Sequence, residues 1–488
     1  MKLKKGAHIY FMGVGGTGMA AVAGLCQSAG YKVTGSDAGV YPPMSDMLAE
    51  LGIDVATPYS KQNVIDAAPD CIVVANVLSR GNEEIEHMLE NDLPHTSFPA
   101  ILSDVFLNEK RSVVVAGTHG KTTTCSLLSH ILYELGEDPS FFIGGIPRNF
   151  PRSFRLGEGP VFVLEGDEYD TAFFDKGPKF LHYQPKHLIV NNLEFDHADI
   201  YDNVEAIAEQ FAKLIDLVPD KKYVVANMDD PGIAKLIRDG NLFEKVTTVA
   251  TAGKASGCDV HVRDVRVTTD GPAMQRWEAV VESPVFGPVK FHTQLSGHHN
   301  IANITQVVAL LGTLKQAGAL SCDAQDIASA IGSFASVKRR LDHLGSFDGV
   351  DLYEDFAHHP TAMRVVIEGF RSAYPDKRLL VAFEPRSAIQ RRNIFEAEYG
   401  ETLSMADRVF IGELFVDKRI PEEERMNIQR LRGRIGDKAQ AYGSNEDLAT
   451  AVAGEVKSGD AVIFMSSGSF SGVQYDLAQK LGSKRGRD

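Results

Sequence analysis

No apolar run along the 488 residues comes near the roughly 18 that a membrane-crossing helix needs, so no membrane span is expected. Cysteine is scarce: Cys26, Cys71, Cys125, Cys258 and Cys322 are scattered, odd in number and never spaced C-x-x-C. That excludes a disulfide frame and fits reduced thiols in a cytoplasm. Positive charge is in deficit, with 50 Lys and Arg against 65 Asp and Glu and a net charge of −15. A nucleic-acid backbone is thereby excluded as a general partner, and any anionic ligand must be met by local cations, metal ions or helix N-termini. Met1–Lys5 is basic, as in a secretion signal, but the apolar run behind it stops at Gly13 with no cleavage-like site. Internal repeats and low-complexity tracts are also missing. A soluble cytoplasmic protein is the expectation.

The remaining composition, 44% hydrophobic and 24% charged, is that of an ordinary globular chain. At about 150 residues per core, the length asks for three domains. Short apolar runs alternate with amphipathic stretches, which predicts α/β architecture with largely parallel sheets. The first block has strands at His8–Met12, near Val33 and at Cys71–Ala75, with a helix over Met19–Ala29. A second block opens on Val113–Ala116 and adds strands at Val161–Leu164 and Leu188–Val190. The pattern restarts near Ser336, with strands at Leu379–Phe383, Val409–Ile411 and Ala461–Met465. Domains are therefore expected at 1–110, 111–335 and 336–488.

The second block carries the sharpest chemical signal. Its first strand runs into Gly117-Thr118-His119-Gly120-Lys121-Thr122-Thr123-Thr124, followed by Leu127, Leu128, Ile131, Leu132 and Leu135 at helical spacing, with Gly136 as a stop. A strand, a glycine loop with Lys and Thr, and a helix form a cradle for polyphosphate: backbone N–H groups face the anion, Lys121 adds charge, and the Thr122 hydroxyl suits Mg²⁺. Val115 stands where the usual phosphate-loop pattern has its first glycine, so the match is incomplete. ATP is the expected ligand. The next two strands end in Glu165-Gly166-Asp167-Glu168-Tyr169-Asp170 and Asn191-Asn192-Leu193-Glu194-Phe195-Asp196-His197. Ligands gather at the carboxyl ends of strands in such sheets, and carboxylates with an imidazole suit a hard divalent cation.

A second glycine loop sits near the start. Gly13-Val14-Gly15-Gly16-Thr17-Gly18 follows a strand, and Asp37 lies nineteen residues beyond Gly18. Read alone it predicts a nicotinamide dinucleotide and an oxidoreductase. The same geometry serves any pyrophosphate. As a turn residue after the second strand, Asp37 also has a purely structural reading. A nicotinamide enzyme leaves the second loop unexplained, and a non-catalytic nucleotide-binding regulator has no need of the carboxylates and histidine.

Taken together the motifs resemble the Mur ligase family over nearly the whole chain: G-T-H-G-K-T-T from Gly117, E-x-D-E-x-D from Glu165, E-x-D-H from Glu194, G-H-H-N-x-x-N from Gly297, R-R-L-D from Arg339 and D-F-A-H-H-P from Asp355. The resemblance implies a Rossmann-like UDP-binding domain, a central P-loop ATPase-like domain and a C-terminal Rossmann-like domain that closes on ATP. It assigns Gly15, Gly16, Thr17 and Gly18 to the UDP pyrophosphate and Asp37 to the nucleoside side. Glu165 and His197 become metal-site residues beside Thr122. His299, Asn300 and Asn303 become the adenine segment, Arg340 the γ-phosphate arginine, and Asp355 a neighbour of the ribose. Ala212 stands at the spacing where some members carry a modified lysine, so that device is not expected, and Lys213 reads as an ordinary helix residue. The implied reaction phosphorylates a carboxylate from ATP and lets an amine attack the acyl phosphate, with Lys121, Glu165, His197 and Arg340 as the catalytic set.

Members of the family with this layout add either L-alanine or the tripeptide L-alanyl-γ-D-glutamyl-meso-diaminopimelate to UDP-N-acetylmuramate. Tyr41-Pro42-Pro43-Met44, Glu168-Tyr169-Asp170, Phe173-Phe174-Asp175-Lys176 and Glu384-Pro385-Arg386-Ser387 are similar to the tripeptide type. The L-alanine type typically has serine where Tyr169 stands. A tripeptide brings extra carboxylates, and Arg386 offers a bidentate partner for one of them.

Overall fold

The computed structural model describes residues 3–198, 200–251, 257–269, 275–416 and 419–482. It contains three separate large sheets, one in each third of the chain. Their parallel strands are short and apolar throughout because helices cover both faces. His8–Met12 and Ala461–Met465, for example, are buried at every position.

The first sheet has five parallel strands in the order Asp54–Ala56, Lys32–Ser36, His8–Met12, Cys71–Val74, His95–Ser97. Chain order reverses on either side of His8–Met12, and such a switch point opens a crevice at the strands' carboxyl ends. The glycine loop sits there. Its helix spans Thr17–Ser28, two residues earlier than the apolar pattern alone indicates, because the loop turns directly into the first helical N–H groups.

The central sheet has ten strands. Arg111–Ala116 lies between Val161–Gly166 and His187–Val190, parallel to both. This adjacency decides the site, since all three carboxyl ends open on one place. The helix after the phosphate loop spans Lys121–Glu134, and Gly136 follows at φ +80° as its left-handed stop. The sheet continues into an antiparallel extension, Val260–Thr269, Gln275–Ser283 and Gly287–Thr293, which departs from the largely parallel expectation. The alternation Val289, Phe291, Thr293 buried against Pro288, Lys290 exposed is the signal that marks it.

The third sheet has six strands: a hairpin of Asp342–Phe347 and Val350–Asp355, then parallel neighbours Ala461–Met465, Leu379–Phe383, Arg408–Ile411 and Ala439–Ala441. The first and central units share one core, in which Phe154 packs where Gly24 leaves no side chain. Among the described residues no helix is long and apolar enough to cross a membrane.

Candidate active site at the junction of three strand ends

The phosphate loop is held by backbone and side chain of the neighbouring strand end. Thr118 N–H donates to the Asn192 carbonyl (3.2 Å) and His119 N–H to the Asn192 side-chain oxygen (2.7 Å). Gly117 (φ +148°) and Gly120 (φ +80°) are required: a Cβ on Gly117 would lie 2.8 Å from Asn191 Cβ, and one on Gly120 would lie 3.0 Å from the amides of Asn191 and Asn303. Thr122 and Thr123 are buried in the first helical turn.

Lys121 Nζ donates to the Gly117 carbonyl (2.7 Å) and to Glu168 Oε2 (2.9 Å). Burial opposes its charge, but Glu168, Asp167 and Glu165 outweigh burial and hold the ammonium firmly protonated. Glu168 is equally buried, and Lys121 with His197 overcomes that cost and pulls its carboxyl down to about 2. His197 Nε2 stands 3.6 Å from Glu168 Oε1, on a backbone at φ +54°, and Glu168 raises its pKa against the effect of burial. Glu165, pushed up by burial and by Asp167, accepts from the Thr122 hydroxyl (2.8 Å) and from Gly144 N–H (2.7 Å). From the third unit Arg340 Nη2 donates to Thr122 Oγ1 (3.2 Å).

Lys121, Thr122, Glu165, His197 and Arg340 thus meet within one chain of contacts. Glu168 is the residue that motif reasoning misses, although it bridges Lys121 and His197. Its place in E-x-D-E-x-D is visible, but nothing local says which of four acids turns inward. Glu168 Oε1 is buried without a hydrogen-bond partner. The carboxylates of Glu168 and Glu165, the Thr122 hydroxyl and the His197 imidazole are donor types that suit a hard divalent cation, while among the described residues the group of three such ligands gathered within 4.8 Å is His119, Glu194 and His359.

A second cluster spans the central and third units. His119 Nε2 lies 3.3 Å and His359 Nδ1 3.5 Å from Glu194 Oε2, and the imidazole rings are 4.9 Å apart. Burial and the neighbouring His119 lower His359 to about 4, so it stays neutral and its Nδ1 accepts from Thr361 N–H, capping the helix Pro360–Ala373.

The segment from Gly297 opens the helix His298–Gln316 beside the phosphate loop. His299 is exposed, Asn300 donates to the Ser296 carbonyl, and Asn303 is buried against Gly120. Asn303 therefore faces the phosphate loop, while the His299 ring folds against Gly297, in surroundings that lower its pKa to about 4 by desolvation. Asp355, at the end of its strand, accepts from Leu341 N–H and Ala357 N–H, both at 2.6 Å, and so ties the backbone just after Arg340 to the turn that follows Asp355.

In the first unit Asp37 turns toward the glycine loop itself, accepting from Gly15 N–H (2.9 Å) and Gly39 N–H (3.3 Å). A Cβ on Gly15 would come within 2.8 Å of that carboxylate. Gly16 and Thr17 are exposed at the helix N-terminus, and Gly18 beside them is half-buried.

Three family profiles match along the chain: "Mur ligase family, catalytic domain" over residues 8–110, "Mur ligase middle domain" over 115–311, and "Mur ligase, glutamate ligase domain" over 339–468. The UDP-N-acetylmuramate–L-alanyl-gamma-D-glutamyl-meso-2,6-diaminoheptandioate ligase of Escherichia coli K12 is 36% identical, over 98% of this chain and 99% of its own length. The chain belongs to the Mur ligase family.

Among solved structures, the murein peptide ligase of Psychrobacter arcticus is 30% identical with a TM-score of 0.71, covering 98% of this chain and 99% of its own. A UDP-N-acetylmuramate–L-alanine ligase from Desulfitobacterium hafniense is 28% identical, over 97% of this chain and 99% of its own. As a Mur ligase this protein is an ATP-dependent enzyme forming a C–N bond, and the nicotinamide reading of Gly13–Gly18 falls. Beside its third sheet Arg386, past the strand Leu379–Phe383, is exposed, lies over the Phe415 ring (5.6 Å) and stands 3.7 Å from Glu384. The neighbouring strand Ala461–Met465 ends in Ser466–Gly468 against the same arginine.

Proposed function

We propose that this Mur ligase joins the tripeptide L-alanyl-γ-D-glutamyl-meso-diaminopimelate to the lactyl carboxylate of UDP-N-acetylmuramate, in the cytoplasm, as a step of peptidoglycan recycling. The observation that carries this reading is the gradient of likeness: 34–36% identity to two tripeptide ligases against 28–32% to L-alanine ligases, each over 97–98% of this chain. The exposed guanidinium of Arg386 at a strand end supports it, because the tripeptide brings carboxylates beyond the one that L-alanine has.

In this reading residues 1–110 hold the UDP-sugar, with Gly15–Gly18 at the pyrophosphate and Asp37 fixing the loop. Residues 111–335 hold ATP, and residues 336–488 bring Arg340 and the acceptor. Thr122, Glu165 and His197 would hold Mg²⁺, which when bound offsets charge on the phosphate oxygens. The carboxylate must approach an anionic γ-phosphate. Lys121, now paired with Glu168, exchanges that partner for phosphate oxygens, and Arg340 moves from the Thr122 hydroxyl to the equatorial oxygens. The helix Lys121–Glu134 has no acidic residue in its first turn, so its N-terminal N–H groups face the β-phosphate unopposed. The amine then attacks the acyl phosphate under a closed third unit that keeps water away.

The test is phosphate release by purified protein with UDP-N-acetylmuramate, ATP and Mg²⁺, comparing the tripeptide with L-alanine. Release with tripeptide alone supports the reading. Release with L-alanine alone would assign the biosynthetic alternative and remove the role given to Arg386.

A further inference from the structure

Arg339 and Arg340 are adjacent in sequence and point to opposite ends of the reaction. Arg340 reaches Thr122 at the phosphate loop (3.2 Å). Arg339 Nη2 donates to the carbonyls of Ser466 (2.8 Å) and Gly468, while its Nε pairs with Glu354 (2.7 Å). Their divergence needs an unusual backbone, with φ +62° at Arg339 and +44° at Leu341. Left-handed non-glycine residues cost on the order of 1–3 kcal/mol each and persist where their surroundings hold them. Here Asp355 holds Leu341 N–H, and Phe356 N–H donates to the Arg339 carbonyl (2.9 Å). The two guanidinium carbons also share one ring, each 5.2 Å from the centre of Phe356.

The loop that Arg339 grips is the one that packs on Arg386. A Cβ on Gly468 would lie 2.5 Å from Arg386 Cδ, so only glycine allows that contact. Gly468 N–H donates to Ser466 Oγ (2.9 Å), and Ser466 Oγ in turn donates to Glu384, the carboxylate beside Arg386. Contacts therefore run without a gap from Arg386 through Gly468, Arg339, Phe356 and Arg340 to Thr122.

We propose that Arg339 is a positioning residue that couples occupancy of the acceptor site to the γ-phosphate arginine. The inference rests on the function proposed above. An acceptor seated against Arg386 and Ser466–Gly468 orders the carbonyls that Arg339 holds, and this fixes the ring and backbone from which Arg340 extends. Phosphoryl transfer, in which a carboxylate oxygen bonds the γ-phosphorus as the bond to the bridging oxygen breaks and ADP leaves, is then accelerated by an amine that reacts only in the next step. A water-sensitive acyl phosphate forms chiefly when its amine is in place.

The test is single-turnover ADP formation by the full chain with UDP-N-acetylmuramate, ATP and Mg²⁺. It is run without acceptor, with saturating tripeptide, and with the same tripeptide acetylated on its amine. Both peptides should accelerate ADP formation at least about 10-fold, within the usual 5–150-fold range of coupling between sites. Arg339→Lys keeps the charge beside Glu354 but cannot serve two carbonyls from the face of a ring. It should reduce the acceleration below about 3-fold with ATP affinity unchanged. Phe356→Leu, which removes the shared ring, should do the same and carries the test if the lysine variant does not fold. Acceleration by the free amine alone would be product trapping and would overturn the coupling. So would full acceleration in Arg339→Lys, with or without weakened peptide binding. Absence of product with tripeptide is a separate result: it defeats the substrate reading, and the amine that does support turnover then enters the same comparison.

Discussion

The loops at Gly13–Gly18 and Gly117–Thr124 share one backbone plan: a buried parallel strand, glycine at positive φ, and a helix whose N-terminus faces a crevice. Their side chains differ completely. The first loop carries no cation, and the nearest charge is Asp37, spent on the N–H of Gly15. The second starts its helix on a half-buried Lys121, with three carboxylates, an imidazole and a guanidinium near it. A loop that only has to hold a diphosphate can rely on backbone N–H groups and the helix terminus. One that must stabilise charge developing on a transferring phosphoryl group needs mobile, strongly charged side chains. On the proposed function, the same fold element is a grip in one place and a reaction centre in the other.

Four substitutions press on that contrast. Lys121→Met should lower kcat for phosphate release on the order of 10³-fold, the scale of removing a preorganised charge from a transition state. Binding of the UDP-sugar should be nearly unchanged, and an equal loss at both sites would break the distinction. Glu168→Gln comes next. The carboxyl of Glu168 is held at about 2, below its ordinary value of 4.5. It therefore adds stability that is present above pH 4.5 and lost as pH falls toward 2. At pH 7 the variant should be less stable by up to about 3 kcal/mol. Thermal midpoints across pH should show the gap closing below pH 4.5, and a gap independent of pH would remove the ion-pair account.

Gly15→Ala addresses the neutral loop. The new methyl meets the Asp37 carboxylate at 2.8 Å, so KM for the UDP-sugar should rise about 10-fold with KM for ATP unmoved, as expected when uniform binding is lost. The smallest effect belongs to Asp37→Asn, where an amide oxygen can still accept from Gly15 N–H. A change in KM for the UDP-sugar below about 3-fold marks Asp37 as a brace for the loop. A loss above about 30-fold would instead give its charge a direct part in nucleoside binding.

Much of the fold is legible in the amino-acid sequence. Val113–Ala116, Leu188–Val190 and Ala461–Met465 read as buried parallel strands because their apolar runs are short and bounded by polar residues. The antiparallel strands Val260–Thr269, Gln275–Ser283 and Gly287–Thr293 lie outside the expectation of parallel strands, since they pair with each other and show alternation, as at Val289, Phe291 and Thr293, in place of a continuous apolar run. In the site, Lys121, Thr122, Glu165, His197 and Arg340 follow from motifs, whereas Glu168, Arg339 and the loop-bracing role of Asp37 emerge from contacts. Asp37 is the instructive case: nineteen residues past a glycine loop it reads as a nucleoside ligand, yet its carboxylate turns back to the loop.

By itself the sequence determined the local units, because a strand, a glycine turn at positive φ and a helix cap are set by neighbours within a few residues. It determined both glycine loops and, at Gly136, the stop of the second helix. Only the tertiary structure decided which charges meet. Arg340 touches Thr122 from 218 residues away, and Glu168 joins Lys121 to His197 because Arg111–Ala116 is hydrogen-bonded between Val161–Gly166 and His187–Val190. Charge pairing acts through space over a few ångströms, and sheet order, not chain order, brings those groups that close.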